Sequence, residues 1–187
     1  MTPQKIRETY LKRRASLCRE ALFNESAALL AVLENSQLFQ DAAQVLSYMP
    51  LLHEAEISGV RALCHKKQKH VAYPVTEGDD LQFYEVFPET SFSPGSFKVP
   101  EPEKTTPVDW QEGIVLIPGA VFDRNGGRYG YGRGYYDRYC SQHPYLTRIG
   151  VCLSVQLYDG NLPLHAGDVR MQFLLTREGI ISVYESK

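Results

Sequence analysis

The sequence predicts an α/β fold, a single domain over residues 1–187 with a largely parallel sheet flanked by helices. Two stretches carry that prediction. Gln44–Met49, Ser58–Lys69 and His70–Tyr73 read as strand, helix and strand, an order that implies a parallel pair joined by a right-handed crossover. Gly113–Ile117 is a short apolar run rich in β-branched residues, the pattern of a buried strand.

The remaining elements follow in chain order. Lys5–Leu33 is helical in character, with Ile6, Tyr10, Leu17, Ala21 and Leu22 as a partial apolar face and a predicted break and N-cap at Asn24-Glu25. Its Lys12-Arg13-Arg14 cluster reads as a solvated face, while Arg7 is the arginine expected to reach into a site elsewhere. Pro50 closes the first strand, and a loop carrying His53, Glu54 and Glu56 follows it. Pro74 is expected to stop the second strand, and Leu81–Val86 to form another. In parallel sheets ligands gather beyond the carboxyl ends of the strands, which assigns Glu54 to the ligand edge. From Phe87 to Trp110, prolines at 88, 94, 100, 102 and 107 exclude long regular structure. Phe92, Phe97 and Trp110 either line an aromatic pocket or pin this segment to the core, and the pinning reading carries slightly more weight. Arg148–Val155, Val169–Thr176 and Gly179–Tyr184 read as the last strands.

Chemistry concentrates between Ile117 and Arg138. Pro118-Gly119 stops a strand, Asp123-Arg124-Asn125-Gly126-Gly127 is turn chemistry, and glycine then recurs at Gly130, Gly132 and Gly134 before a helix starting near Tyr135. Glycines let backbone N–H groups approach a ligand, and the helix end adds about half a positive charge, so the stretch suits an anion. Arg128 and Arg133 add forked donors that match phosphate oxygens. A carboxylate at Asp137 beside phosphate makes sense mainly as a Mg²⁺ ligand. Neither the Walker A spacing nor the dinucleotide fingerprint is present.

Composition narrows the function classes. A net charge of −2 over 187 residues argues against a dedicated nucleic-acid binder. No apolar run approaches the roughly 20 residues of a membrane span, and Met1–Arg14 lacks the apolar core of a secretory signal. Cys18, Cys64, Cys140 and Cys152 are widely spaced, and read as free thiols of a cytoplasmic protein. The scattered histidines lack zinc-ligand spacing.

Pro118-Gly119-x-x-Phe122-Asp123 followed by Gly127-Arg128-x-Gly130-x-Gly132-Arg133-Gly134-Tyr135-Tyr136-Asp137 resembles the signature of the 5-formyltetrahydrofolate cyclo-ligase (5,10-methenyltetrahydrofolate synthetase) family. The similarity extends to the N-terminal basic helix, the Glu54 loop, Val71–Pro74, Val99–Pro102 and His165-x-x-Asp168. It implies a fold related to the NagB/RpiA/CoA-transferase group. It also implies Mg²⁺- and ATP-dependent conversion of 5-formyltetrahydrofolate, with or without a polyglutamate tail, to 5,10-methenyltetrahydrofolate by a monomeric cytoplasmic enzyme. By that resemblance Lys5, Arg7, Arg128, Gly130, Tyr131, Gly132, Arg133, Gly134, Tyr135 and Tyr136 hold the nucleotide, with Lys5 in place of a lysine the family carries at the Pro3 position. Arg133 and Tyr136 are the expected catalytic residues, Met49, Glu54 and Tyr135 contact the folate, and Asp137 and Asp168 bind the metal. Gln172 stands where many members carry an acidic residue. Two other readings are an isomerase or transferase on the same fold without ATP turnover, and an RNA-binding surface built from Arg124, Arg128, Arg133 and Arg138 interleaved with tyrosines.

Overall fold

Thr2 caps the first helix by accepting from the Lys5 N–H at 3.3 Å, and Pro3 pre-sets the first turn. In the computed structural model, which describes residues 1–95, 99–104 and 106–183, this helix is α1 (Pro3–Ala15) and α2 (Arg19–Glu34) follows it. The break falls at Ser16–Cys18, not at Asn24-Glu25. Glu25 is tolerated inside α2 because it turns inward and accepts from the Ser154 N–H at 2.8 Å. Phe97 and Tyr184, named from the sequence, lie outside the described residues.

After the short α3 (Gln37–Asp41), β1 (Gln44–Leu46), α4 (Gly59–Lys66) and β2 (His70–Glu77) form the expected parallel crossover unit. β2 runs through Pro74 instead of ending there. Its partner β1 pairs only as far as Ala72, so the missing N–H of Pro74 falls where that edge is no longer in the ladder. β3 (Asp80–Glu85) returns antiparallel along β2. The proline-rich segment contributes three short strands, β4 (Phe92–Pro94), β5 (Pro100–Pro102) and β6 (Thr106–Val108). Phe92 packs edge-on to Tyr73 at 5.6 Å and Trp110 lies 6.2 Å from His70, so both pin the segment down.

β7 (Ile114–Ile117) shows how the core is divided. Ile114 and Leu116 join the apolar cluster under α2 and α4, while Val115 and Ile117 join the one that includes Tyr139 and Cys140. A central strand covered on both faces needs this alternation to be apolar throughout. Then come β8 (Val121–Asp123), β9 (Arg128–Tyr129), α5 (Tyr135–Gln142) and β10 (Thr147–Val151). The chain ends with β11 (Leu157–Tyr158), β12 (Phe173–Thr176) and β13 (Gly179–Ser182). The main sheet has eight strands in the order β13-β12-β10-β7-β1-β2-β3-β6, and β11-β8-β9 form a small second sheet. Ile6 and Tyr10 dock α1 on this small sheet with Val121, Tyr129 and Leu162.

β1 continues toward β2 on one side while β7 continues toward β10 on the other, and β1 and β7 are parallel neighbours. That divergence opens a crevice at the carboxyl ends of the two strands.

The turn between β8 and β9 is built on Asp123. Its buried carboxylate accepts from the N–H groups of Asn125 (2.8 Å), Gly127 (2.8 Å) and Leu162 (2.7 Å), and Ile6 and Tyr10 dock beside it. Asp123→Asn replaces one acceptor oxygen by an NH₂ that faces an N–H, so chemical denaturation should show a loss of about 1–3 kcal/mol. An unchanged midpoint and slope would contradict that role.

Candidate active site

The crevice is a cavity of about 560 Å³. Tyr48, Met49 and Glu54 line it from beyond β1, Pro118 from beyond β7, and the whole run Arg128–Asp137 borders it. Arg7 enters from α1, and His165 and Asp168 from the segment before β12. Of the residues that the family resemblance assigns to nucleotide, folate or metal, Lys5 alone lies off the cavity, and it is exposed. Helix phase explains this: Pro3 and Arg7 are four residues apart and share the cavity face, whereas Lys5 is two residues from each and points away.

The glycine loop is shaped for close approach. A Cβ on Gly130 would stand 2.7 Å from Arg128 Nη1 and displace that guanidinium. Gly134 caps α5 in the left-handed region at φ 67° with no side chain on the helix N–H groups, leaving those donors for a ligand.

The three cavity arginines differ in commitment. Arg128 is buried and donates to Asp137 Oδ2 at 2.9 Å. Arg7 stacks over the Tyr129 ring at 5.6 Å, and its Nη1 would lie 3.9 Å from a Cβ on Gly132. Arg133 is exposed, and its guanidinium makes no hydrogen bond or ion pair among the described residues. Arg138 pairs with Asp80 at 3.0 Å, and its neighbour Tyr135 donates to Gly78 O at 3.3 Å. With Arg128 buried and Arg138 paired, the run does not form an open basic platform for stacked bases.

Glu54 departs most from expectation. No cation stands near it in sequence, and the Lys12-Arg13-Arg14 cluster reads as solvated. The structure buries Arg14 to 4% exposure and Glu54 likewise to 4%, with Arg14 Nη1 3.7 Å from Glu54 Oε1. The Tyr131 hydroxyl donates to Glu54 Oε1 at 2.7 Å and accepts from Arg14 Nη2 at 2.5 Å, and the Leu51 N–H donates to Glu54 Oε2 at 2.8 Å. Burial raises the Glu54 pKa above 4.5, opposed by these two hydrogen bonds and by Arg14. Arg14 was detectable: Ile6, Tyr10 and Arg14 recur every four residues, so it shares the docked stripe of α1.

Burial, with Glu54 nearby, pushes the phenols of Tyr131 and Tyr136 well above their ordinary range. Both stay protonated, and the Tyr131 proton is the one given to Glu54 Oε1. Burial likewise raises the Cys64 and Cys152 thiols to about 12 and the Cys140 thiol to about 11, so these cysteines are unreactive.

Asp137 and Asp168 both border the cavity but are partly engaged. Asp137 accepts from Arg128 and, at 3.1 Å, from the Val169 N–H, and Asp168 Oδ2 accepts from the His165 N–H at 2.8 Å. Among the described residues no three His, Cys, Asp or Glu side chains cluster for a metal. Two carboxylates suit Mg²⁺ that arrives with phosphates and keeps waters, and do not make a cage for a resident ion.

The sequence matches the 5-formyltetrahydrofolate cyclo-ligase family over residues 2–177. It is 27% identical over 133 residues to a probable 5-formyltetrahydrofolate cyclo-ligase of Schizosaccharomyces pombe, covering 62% of this chain and 65% of that protein. The chain thus spans just under two thirds of that relative. A Caenorhabditis elegans protein with the same description is 26% identical over 175 residues, covering 83% of this chain and 82% of its own length. The solved 5,10-methenyltetrahydrofolate synthetase of Aquifex aeolicus superposes with a TM-score of 0.88 at 26% identity, over 100% of this chain and 95% of that one.

Proposed function

The chain belongs to the 5-formyltetrahydrofolate cyclo-ligase family, and from that premise we propose that it converts 5-formyltetrahydrofolate and ATP to 5,10-methenyltetrahydrofolate, ADP and phosphate. One observation carries the reading. A single cavity is bordered both by a buried carboxylate and by a glycine loop with a helix N-terminus, with Arg7 and Arg133 outside any ion pair among the described residues. The first suits the N–H groups of a pterin and the second a polyphosphate.

The formyl oxygen is a poor leaving group until it is phosphorylated. On this reading it attacks the terminal phosphorus of ATP and ADP departs. N10 then attacks the formyl carbon and loses its proton, and phosphate leaves as the N5 lone pair closes the amidinium. The chain's part is positioning and charge. The N–H groups of the loop and of the α5 end cradle phosphates, Arg7 closes on them from α1, and Arg133 meets the charge that develops on the transferred group. Arg128 is a holder of Asp137 first and a phosphate ligand second. Tyr136 donates a hydrogen bond as a neutral phenol, while Met49, Glu54 and Tyr135 hold the folate. Asp137 and Asp168 would hold Mg²⁺, which neutralises charge on the phosphates when bound. No helix among the described residues is long and apolar enough to cross a membrane. The reading includes a cytoplasmic monomer whose four cysteines are free thiols, three of them buried.

The test is an absorbance assay for methenyltetrahydrofolate, which should form only with ATP and Mg²⁺ present. Product without ATP, or no product at all, would overturn the reading. Mg·ATP at about 100 times its dissociation constant should also stabilise the fold by roughly 2.7 kcal/mol in thermal melts. A salt-steep affinity for RNA without that stabilisation would favour the nucleic-acid alternative.

A further inference from the structure

We propose that Tyr131 and Arg14 are positioning residues that latch the glycine loop to Glu54, so that nucleotide on the loop and folate at Glu54 bind with positive coupling. The ligand identities rest on the reading above; the latch rests on geometry.

The segment Gly130–Gly134 contains three glycines, two of them at positive φ (Gly132 91°, Gly134 67°), so an untethered loop has much conformational freedom to lose. It carries only two side chains. The Arg133 guanidinium makes no hydrogen bond or ion pair among the described residues, its carbonyl oxygen accepts from Arg138 Nη1 at 2.9 Å, and Tyr131 is 44% exposed, with its hydroxyl turned inward. That hydroxyl is the tether the segment's own side chains supply, while Arg138 anchors only the end next to α5.

Arg14 decides which way the tether points. A guanidinium only donates, so the Tyr131 oxygen must accept from Arg14 Nη2 and spend its own proton on Glu54 Oε1. Arg14 Nη1 also donates to Gly119 O at 3.1 Å, at the turn after β7. One buried side chain therefore ties α1, the end of the central strand, the glycine loop and the substrate carboxylate together. Glu54, with Oε1 held by Tyr131 and Oε2 by the Leu51 N–H, is fixed in rotation and keeps its remaining lone pairs for a ligand. Ordering at either end of this chain reduces what the other ligand must order, which is positive coupling.

Tyr131→Phe keeps the ring and removes only the hydroxyl, and Arg14→Lys keeps the charge but cannot bridge Gly119 O and Tyr131. Two measurements decide the proposal, each after a thermal melt confirms folding. Without any ligand, trypsin should cut after Arg133 about tenfold faster in Tyr131→Phe than in the wild type, with cleavage after exposed Arg177 unchanged as the control. Equal rates after Arg133 would overturn the tether. With ligands, saturating 5-formyltetrahydrofolate should tighten binding of a non-hydrolysable Mg·ATP analogue about 5- to 10-fold in the wild type, and folate should gain the same factor from the analogue. The factor should fall close to 1 in Tyr131→Phe and be reduced in Arg14→Lys. A wild type that binds both ligands without coupling, or a Tyr131→Phe factor equal to the wild type's, would overturn the latch while leaving the assigned reaction standing. A wild type that binds neither ligand would overturn the reaction and with it the coupling, and the proteolysis arm would still judge the tether.

Discussion

Arg133→Ala is expected to lower kcat about 100- to 1000-fold while raising the KM for ATP much less. The reason lies in the division of labour among the cavity arginines. Arg128 is buried against Asp137, and Arg7 lies over the Tyr129 ring, whereas the Arg133 guanidinium meets no hydrogen-bond or ion-pair partner among the described residues. A preorganised cation that is free in the ground state can strengthen its contact as charge shifts on the transferred phosphoryl group, and that difference is what accelerates a step. Arg133→Lys should recover part of the loss, because the charge remains and the fork is gone. Steady-state kinetics with each substrate varied in turn gives the answer. A variant that keeps kcat and loses only ATP affinity would make Arg133 a binding residue.

Glu54→Gln should separate binding from stability. If the pterin donates to Glu54, folate affinity should fall by roughly 1.5–3 kcal/mol, the range for hydrogen bonds to a charged group. The nucleotide measured alone should change far less. The fold should not suffer in proportion. The folded pKa of Glu54 lies above its ordinary 4.5 because burial outweighs the help from Leu51, Tyr131 and Arg14. Folded protein therefore holds that proton more tightly than unfolded protein. The contribution to stability is full below about pH 4.5 and declines as pH rises through the folded pKa. At neutral pH the ionised carboxylate costs stability that glutamine relieves, opposed by the lost counter-charge of Arg14. Calorimetric titration with each ligand, alongside thermal melts, tests this: equal losses for both ligands with a lowered melting temperature would mean a damaged fold. The same sign sets the pH profile. Arg14, Tyr131, Tyr48 and Tyr136 are the ionisable groups facing Glu54. Folate binding should be lost on acidification at a pH above the usual glutamate range. Tyr131→Phe should move that limb higher, since it removes a hydrogen bond that favours the charged form. An acid limb at an ordinary glutamate value would place Glu54 outside the folate contact.

Three residues look different along the chain and in the fold, and for one reason. Pro74 reads as a strand terminator because the residue itself removes a donor, yet whether a donor is needed there depends on where β1 ends beside it. Lys5 reads as a stand-in for the lysine the family carries at the Pro3 position, yet the docked face of α1, fixed by Ile6 and Tyr10 against Val121 and Tyr129, turns Arg7 to the cavity and Lys5 away from it. Asp137 looks like a bare metal ligand until Arg128 is found on it at 2.9 Å.

Whatever depends on neighbours along the chain is legible in the order of residues. The continuous apolar run Gly113–Ile117, the strand–helix–strand unit from Gln44 to Tyr73, and the glycine spacing before α5 are local patterns, and each appears in the structure as an element or a turn. The tertiary structure alone decided which charges are buried and paired. Tyr131 meets Glu54 across 77 residues and Arg14 across 117, and no local period encodes either contact. Their meeting follows from where the sheet order sends β1 and β7 and where α1 docks. Desolvation then turns an ordinary loop carboxylate and a seemingly solvated arginine into a buried, directed pair.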